Sequence, residues 1–271
     1  MKKILKDLLL ILIITSIFKN VYSHEFWIDP IKYHLKNDNQ ISAKLLIGEN
    51  FKGSQLPYSK KEYEISNLYS GNKKIKLKGR LGDLPALNKI KGFTGLNVLQ
   101  VISAMNYVDY EGLLKFDIFS RKKGYPSLAK EHQNNNYPLN FVESYKRYAK
   151  SIVSIDNYEG SDVDTGMELE LIFLDNPLLE LTKNKRILLE YKNDILIDHQ
   201  IAIMSIRDDK VKVDYLKTNE QGYIEYIFKR NTKYLIDSVV IIKGSNKKKD
   251  KYAKWHSLWA SYTLKTPQNE K

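Results

Sequence analysis

The chain predicts a mainly β protein: two β-sandwich-like domains, the C-terminal one immunoglobulin-like, with a helical segment between them. Short segments rich in Val, Ile, Leu and Tyr alternate with polar residues along most of the length, which is the period of a half-buried strand. Turns carrying Gly and Asn separate those segments, and one central stretch shows a three-to-four-residue spacing instead.

The first 23 residues read as a secretory signal. Lys2, Lys3 and Lys6 make a basic start, Leu8 to Phe18 is apolar, and Val21, Tyr22 and Ser23 lead into the expected cut after Ser23. The apolar run is too short to span a bilayer, which takes about 20 residues. The reading therefore expects a periplasmic or secreted protein beginning at His24. Cysteine is absent, so neither a lipidated cysteine nor a disulfide is available and packing must hold the fold.

From 24 to 120 the pattern is that of an N-terminal β-domain. Ile41, Ala43, Leu45 and Ile47 alternate with polar neighbours, as do Ile75 and Leu77, and Leu96 to Met105 is an apolar run. Residues 121–165 are expected to form the helical segment and linker. Within them Pro138 to Val153 reads as a helix, because Phe141, Tyr145, Tyr148 and Ile152 recur at helical spacing, while Asp156 to Gly166 has the composition of a connection. In that connection Asp162 and Asp164 are expected to be solvated, with a weak Ca²⁺ contact as the alternative.

Residues 166–265 carry seven strand signals: 168–174, 186–192, 195–206, 211–217, 223–229, 234–243 and 255–265. Many short strands in about 100 residues fit an immunoglobulin-like or transthyretin-like sandwich. The sequence from Thr218 to Gly222 supplies a tight turn, with Gly222 free to take a positive φ. Residues 266–271 are a tail. The dense run Lys247 to Lys251 reads as a solvated hairpin tip.

The formal net charge is +12; removing four lysines and one aspartate with residues 1–23 leaves +9. Nucleic acid is not the expected partner, because the lysines are scattered among Ile, Asn and Tyr and an exported chain meets little of it. The charge fits either a basic face toward an anionic envelope surface or no specific partner at all. Oligomeric state is not legible. No nucleophile elbow, His-Glu-x-x-His helix or phosphate-cradling Gly loop is present, so no enzyme is expected.

The residue with the most chemistry in it is His24. At a freed terminus its α-amine and imidazole form a chelate, and imidazole suits Ni²⁺, Co²⁺ and Cu²⁺. Both groups can lose a proton to a metal near neutral pH. Glu25 adds a carboxylate, and Phe26-Trp27 a strand that would anchor the terminus; the plain alternative is that His24 merely starts an edge strand.

His256 is the second candidate ligand, with the alternative of a hydrogen-bonded rim histidine. Alternation puts it on one face with Leu258, Ala260, Tyr262 and Leu264, and puts Trp255 and Trp259 opposite with Ser257 and Ser261. His132, after Glu131, is the third, as a mobile ligand closing over a site. His34 lies about 33 Å from His24 if the chain is extended and cannot share its metal without a turn. His199 is left as a structural or pH-sensitive residue.

Four segments resemble a family of exported bacterial proteins that carries a domain-of-unknown-function label and is commonly described as a periplasmic component of nickel or cobalt uptake. They are His24-Glu25-Phe26-Trp27-Ile28-Asp29-Pro30, the stretch Glu143 to Lys150, the stretch from Gly166 through Asn176-Pro177 to Gly222, and Trp255 to Leu264. The resemblance spans nearly all of the mature chain. It implies a component of nickel or cobalt uptake; joined to the chelate at His24, which also suits Cu²⁺, the expectation is a divalent transition-metal protein (Ni, Co or Cu) that delivers its ion to a membrane metal transporter. The rival expectation is a non-catalytic envelope module that binds protein or polysaccharide through exposed Trp255 or Trp259. A third is an enzyme holding copper at His24 with a second histidine close by.

Overall fold

The computed structural model describes residues 24–36, 39–244 and 252–268. The expected signal (residues 1–23) and the Lys247 to Lys251 run lie outside the described residues.

Strands dominate, as the alternation predicts. A ten-stranded sheet forms the spine, in the order β15 (Lys210–Lys217), β14 (Gln200–Arg207), β17 (Lys233–Lys243), β18 (Ala253–Lys265), β10 (Asn140–Ile155), β8 (Gly95–Ser103), β5 (Tyr63–Ser70), β6 (Lys73–Lys76). Strands β2 (His34–Leu35) and β9 (Asn106–Glu111) also pair with β10. In the centre β10 and β18 run parallel, from Glu143 beside Trp255 to Ser151 beside Thr263. This pairing joins strands from either side of the boundary expected near Gly166.

Two smaller sheets and two helices cover the spine. Strand β11 (Leu169–Phe173) pairs with β12 (Lys185–Tyr191), which also carries β13 (Asp194–Ile195) and β16 (Tyr223–Tyr226). This sheet closes one face through a core of Leu169, Leu171, Ile187 and Ile224 against Ile203, Ile236, Leu258 and Tyr262. On the opposite face lies β1 (Glu25–Pro30) paired with β3 (Gln40–Glu49), which carries β4 (Lys52–Leu56) and β7 (Leu87–Lys91). Phe26, Ile28, Ile41 and Leu45 pack there on Leu99, Ala149 and Val153. Helices α1 (Leu114–Lys122) and α2 (Leu128–Asn134) cover the remainder of that face over Trp255 and Trp259.

The helix expected over 138–153 is a strand. Residues Asn140–Ile155 form β10, the longest strand described, at 16 residues. It is buried on both faces, so apolar residues are needed at odd and even positions alike and the period of two disappears. The apparent helical stripe changes parity: Phe141 faces the helices, whereas Tyr148 and Ile152 face the sheet built on β11. The helical residues lie instead at 114–122 and 128–134, so only α2 falls wholly within the segment expected to be helical.

Asp162 also departs from expectation. Its carboxylate is fully buried, 3.0 Å from Lys150 Nζ, and accepts hydrogen bonds from the Tyr262 hydroxyl and the Val163 and Phe173 amides. Lys150 reaches Glu170 as well, at 2.9 Å, and Glu170 takes the amides of Thr165 and Met167. A buried charge survives when its partners are this complete, and here the set fastens residues 162–170 to the central strand.

Candidate metal centre at His24

His24 is positioned by β1, whose antiparallel register on β3 sets Glu25 against Gly48 and Phe26 against Ile47. One residue beyond that register, His24 stands opposite Glu49. The outer edge of β1 lies across the spine sheet, and the hydroxyls of Ser261 and Thr263 donate to the carbonyls of Phe26 and Ile28 at 2.6 and 2.5 Å. The strand expected at Phe26-Trp27 is present and is fastened on both edges.

Beyond Glu49 the chain turns through Asn50 and Phe51, both at positive φ (51° and 62°), into β4. Two consecutive left-handed residues suit a tight hairpin. Gly48 permits it: a Cβ there would lie 2.0 Å from the Lys52 carbonyl oxygen. Together these residues wall an open groove of about 1040 Å³, lined by His24, Glu49, Asn50, Lys52, Ser54 and Asp209. Partial burial alone would raise the Glu49 carboxyl, but Lys122, hydrogen-bonded at 2.9 Å, and the charge of His24 hold it below its ordinary range.

Glu25 does not serve this groove. It turns inward, where Lys123, just past the end of α1, places Nζ 2.9 Å from Glu25 and 2.5 Å from Asp237, and 4.8 Å from the centre of the Trp259 ring. Burial alone would lower the Lys123 ammonium; the two carboxylates outweigh it and raise it. A carboxylate that would have completed a metal site is committed to the core.

His132 and His256 lie elsewhere. His132 is fully buried in α2: Trp255 Nε1 donates to its Nδ1 at 2.9 Å, so Nε2 carries the proton and donates to the Pro138 carbonyl at 2.9 Å. Both ring nitrogens are engaged, which corrects the reading of a mobile ligand. His256 does sit on the face shared with Leu258 and Tyr262, at its rim, with Nδ1 3.0 Å from Ser144 Oγ. His34 Nδ1 meets Ser154 Oγ at 2.8 Å, seven residues along β10 from Arg147, the residue that donates to the His24 carbonyl. His199 Nε2 donates to the Val239 carbonyl at 3.1 Å. Burial lowers both the His34 and His199 imidazoles from their ordinary value. The structure thus brings none of these histidines to His24.

Trp255 and Trp259 lie on the face opposite His256, as alternation predicts, but the helices bury them to 1% and 2% exposure. The exposed aromatic patch expected of a polysaccharide-binding module is not built from them. Among the described residues, no three His, Cys, Asp or Glu side chains converge on one point as a metal-ion set. The groove lining carries three imidazole or carboxylate groups with donor atoms for a metal, His24, Glu49 and Asp209, of which β1–β3 register sets Glu49 opposite His24. Glu49 was missed because its partnership with His24 arises from strand register across 25 residues of sequence.

The fold defines a mainly β protein in which smaller sheets sandwich one long sheet, with His24 at the mouth of a surface groove. The family model described as "Domain of unknown function (DUF4198)" matches residues 21–241, and the chain belongs to that family. No curated protein matches the chain.

Proposed function

We propose that this is an exported, non-catalytic protein that binds a divalent transition metal, Ni²⁺, Co²⁺ or Cu²⁺, in the groove at His24 and hands it to a membrane metal transporter. The observation that carries the reading is positional. The expected signal ends at Ser23, and His24 is held by β1 opposite the carboxylate of Glu49. The amine and imidazole of His24 supply two nitrogen donors and Glu49 an oxygen, a mixed set that suits borderline ions and leaves coordination positions open for hand-over. Lys122 must release Glu49 for this, so the site exchanges an exposed ion pair of small worth for a metal bond. The C-terminal sandwich is read as immunoglobulin-like. Of its seven main strands, β11, β12 and β16 lie in one layer and β14, β15, β17 and β18 in the other.

The second reading, an envelope-binding module, has support in a groove of about 690 Å³ lined by Lys32, Lys44, Lys233 and Lys265, which suits an anionic polymer. It predicts salt-sensitive retention on an anionic matrix and no dependence on His24.

Calorimetric titration with Ni²⁺, Co²⁺ and Cu²⁺ separates the two. Protein beginning at His24 is compared with a form carrying one extra N-terminal glycine, and with H24A and E49Q. The metal reading expects the extended form and H24A to bind at least about tenfold more weakly; equal affinities for all forms remove His24 from the site.

A further inference from the structure

A third, smaller cavity, about 290 Å³, opens on the other side of β1. Phe26, Leu56, Pro57 and Tyr63 form its apolar walls, and Arg147 and Tyr145 of β10 reach it from the spine sheet. Arg147 is 9% exposed. Its guanidinium lies 4.4 Å from the centre of the Tyr145 ring, and Nη2 donates to the His24 carbonyl at a long 3.3 Å. Nε is buried and meets no hydrogen-bond partner among the described residues.

Two buried acids on the inner side engage other groups, although Glu25 Oε2 itself meets no partner among the described residues. Glu143 accepts from Tyr110 and Ser257, and Glu25 pairs with Lys123. A guanidinium removed from water without a carboxylate is costly, because it has five N–H donors and cannot shed its charge.

We propose that this cavity is a ligand site for a small organic monocarboxylate, whose carboxylate pairs with Arg147 while its apolar body lies against Phe26, Leu56 and Tyr63. The single positive charge matches one carboxylate; a phosphate dianion would retain an unpaired charge in an apolar pocket. The volume, at the low end for ligand pockets, limits the guest to a small molecule. Glu62 at the exposed rim disfavours a second negative charge on the guest and would accept an ammonium from an amino-acid-like one. The proposal is independent of metal binding at His24, so its test is run in the presence of a chelator.

The full mature protein is titrated with benzoate and hexanoate, with benzamide as the uncharged control and inorganic phosphate as the alternative anion. The proposal expects saturable binding of both carboxylates and at least tenfold weaker binding of benzamide and phosphate. R147M should abolish binding. L56W, which fills the cavity without touching the guanidinium, should abolish it equally while the circular dichroism spectrum stays native. Absence of carboxylate binding to the wild-type protein, tighter binding of phosphate, or unchanged affinity in folded L56W would each overturn it.

Discussion

Trp255 donates its indole N–H to Nδ1 of His132 at 2.9 Å, binding the last strand of the spine sheet to the second helix across 123 residues of sequence. The contact fixes the imidazole tautomer and turns a candidate ligand into a core residue. Phe116 and Phe141 pack around the pair, with ring centres 5.8 Å from Trp255 and 4.2 Å from His132 respectively. H132A should therefore destabilise the protein by about 3 kcal/mol, through a cavity and an orphaned indole N–H. Urea unfolding would measure this. Metal affinity of the folded variant should equal wild type, and a loss would return His132 to the site.

Lys123 between Glu25 and Asp237 is a buried ion triad, and removing its cation leaves two carboxylates in the core. K123M should cost about 3–5 kcal/mol. Adding E25Q and D237N to K123M should recover much of the loss, because the neutral triple variant has no uncompensated charge. Chemical denaturation of the single and triple variants tests the pair of expectations together.

Glu143 is buried against Tyr110 and Ser257, and burial pushes its carboxyl up to about 7 in spite of those hydrogen bonds. Between the unfolded value near 4.5 and 7 the folded state holds the extra proton, so this residue's contribution to stability is full below pH 4.5 and is lost as pH rises through 7. The difference is about 3 kcal/mol. His34 and His199, lowered by burial, act in the opposite direction, favouring the fold as pH rises toward 6.5. Subtracting wild type from E143Q cancels them. The stability of E143Q relative to wild type should increase from pH 4.5 to 8, and a flat difference would contradict the burial argument.

Gly48 faces the Lys52 carbonyl too closely for any side chain. G48A should open the hairpin between β3 and β4, costing about 1–3 kcal/mol as overpacking does. The variant should also weaken metal binding with His24 and Glu49 both intact, because the groove wall carrying Glu49 moves. Thermal unfolding and the metal titration, made on the same preparation, read the two effects.

The alternation along 41–47, 96–103, 169–173, 186–191 and 255–265 was legible, because each strand there shows a regular pattern or a bounded apolar run. The turn at Gly222 was legible too: its φ of 78° is one that few other residues adopt. Strand β10 was not, because burial on both faces removes the period that distinguishes a strand from a helix. Asp162 read as linker because its composition is that of a loop, and a single buried lysine 12 residues earlier in the chain reverses its environment.

Taken alone, the sequence determined that the protein is mainly β, and it singled out His24 as the residue with the most available chemistry. It also placed His256 opposite the two tryptophans, since side-chain alternation is a local property of an extended chain. Only the tertiary structure decided what each group meets: Glu25 bound to Lys123, His132 held by Trp255, Glu49 brought opposite His24, and Arg147 set in a cavity with its Nε unpartnered. Those outcomes depend on strand register and on packing between elements far apart in the chain, and neither is encoded in any one segment's pattern.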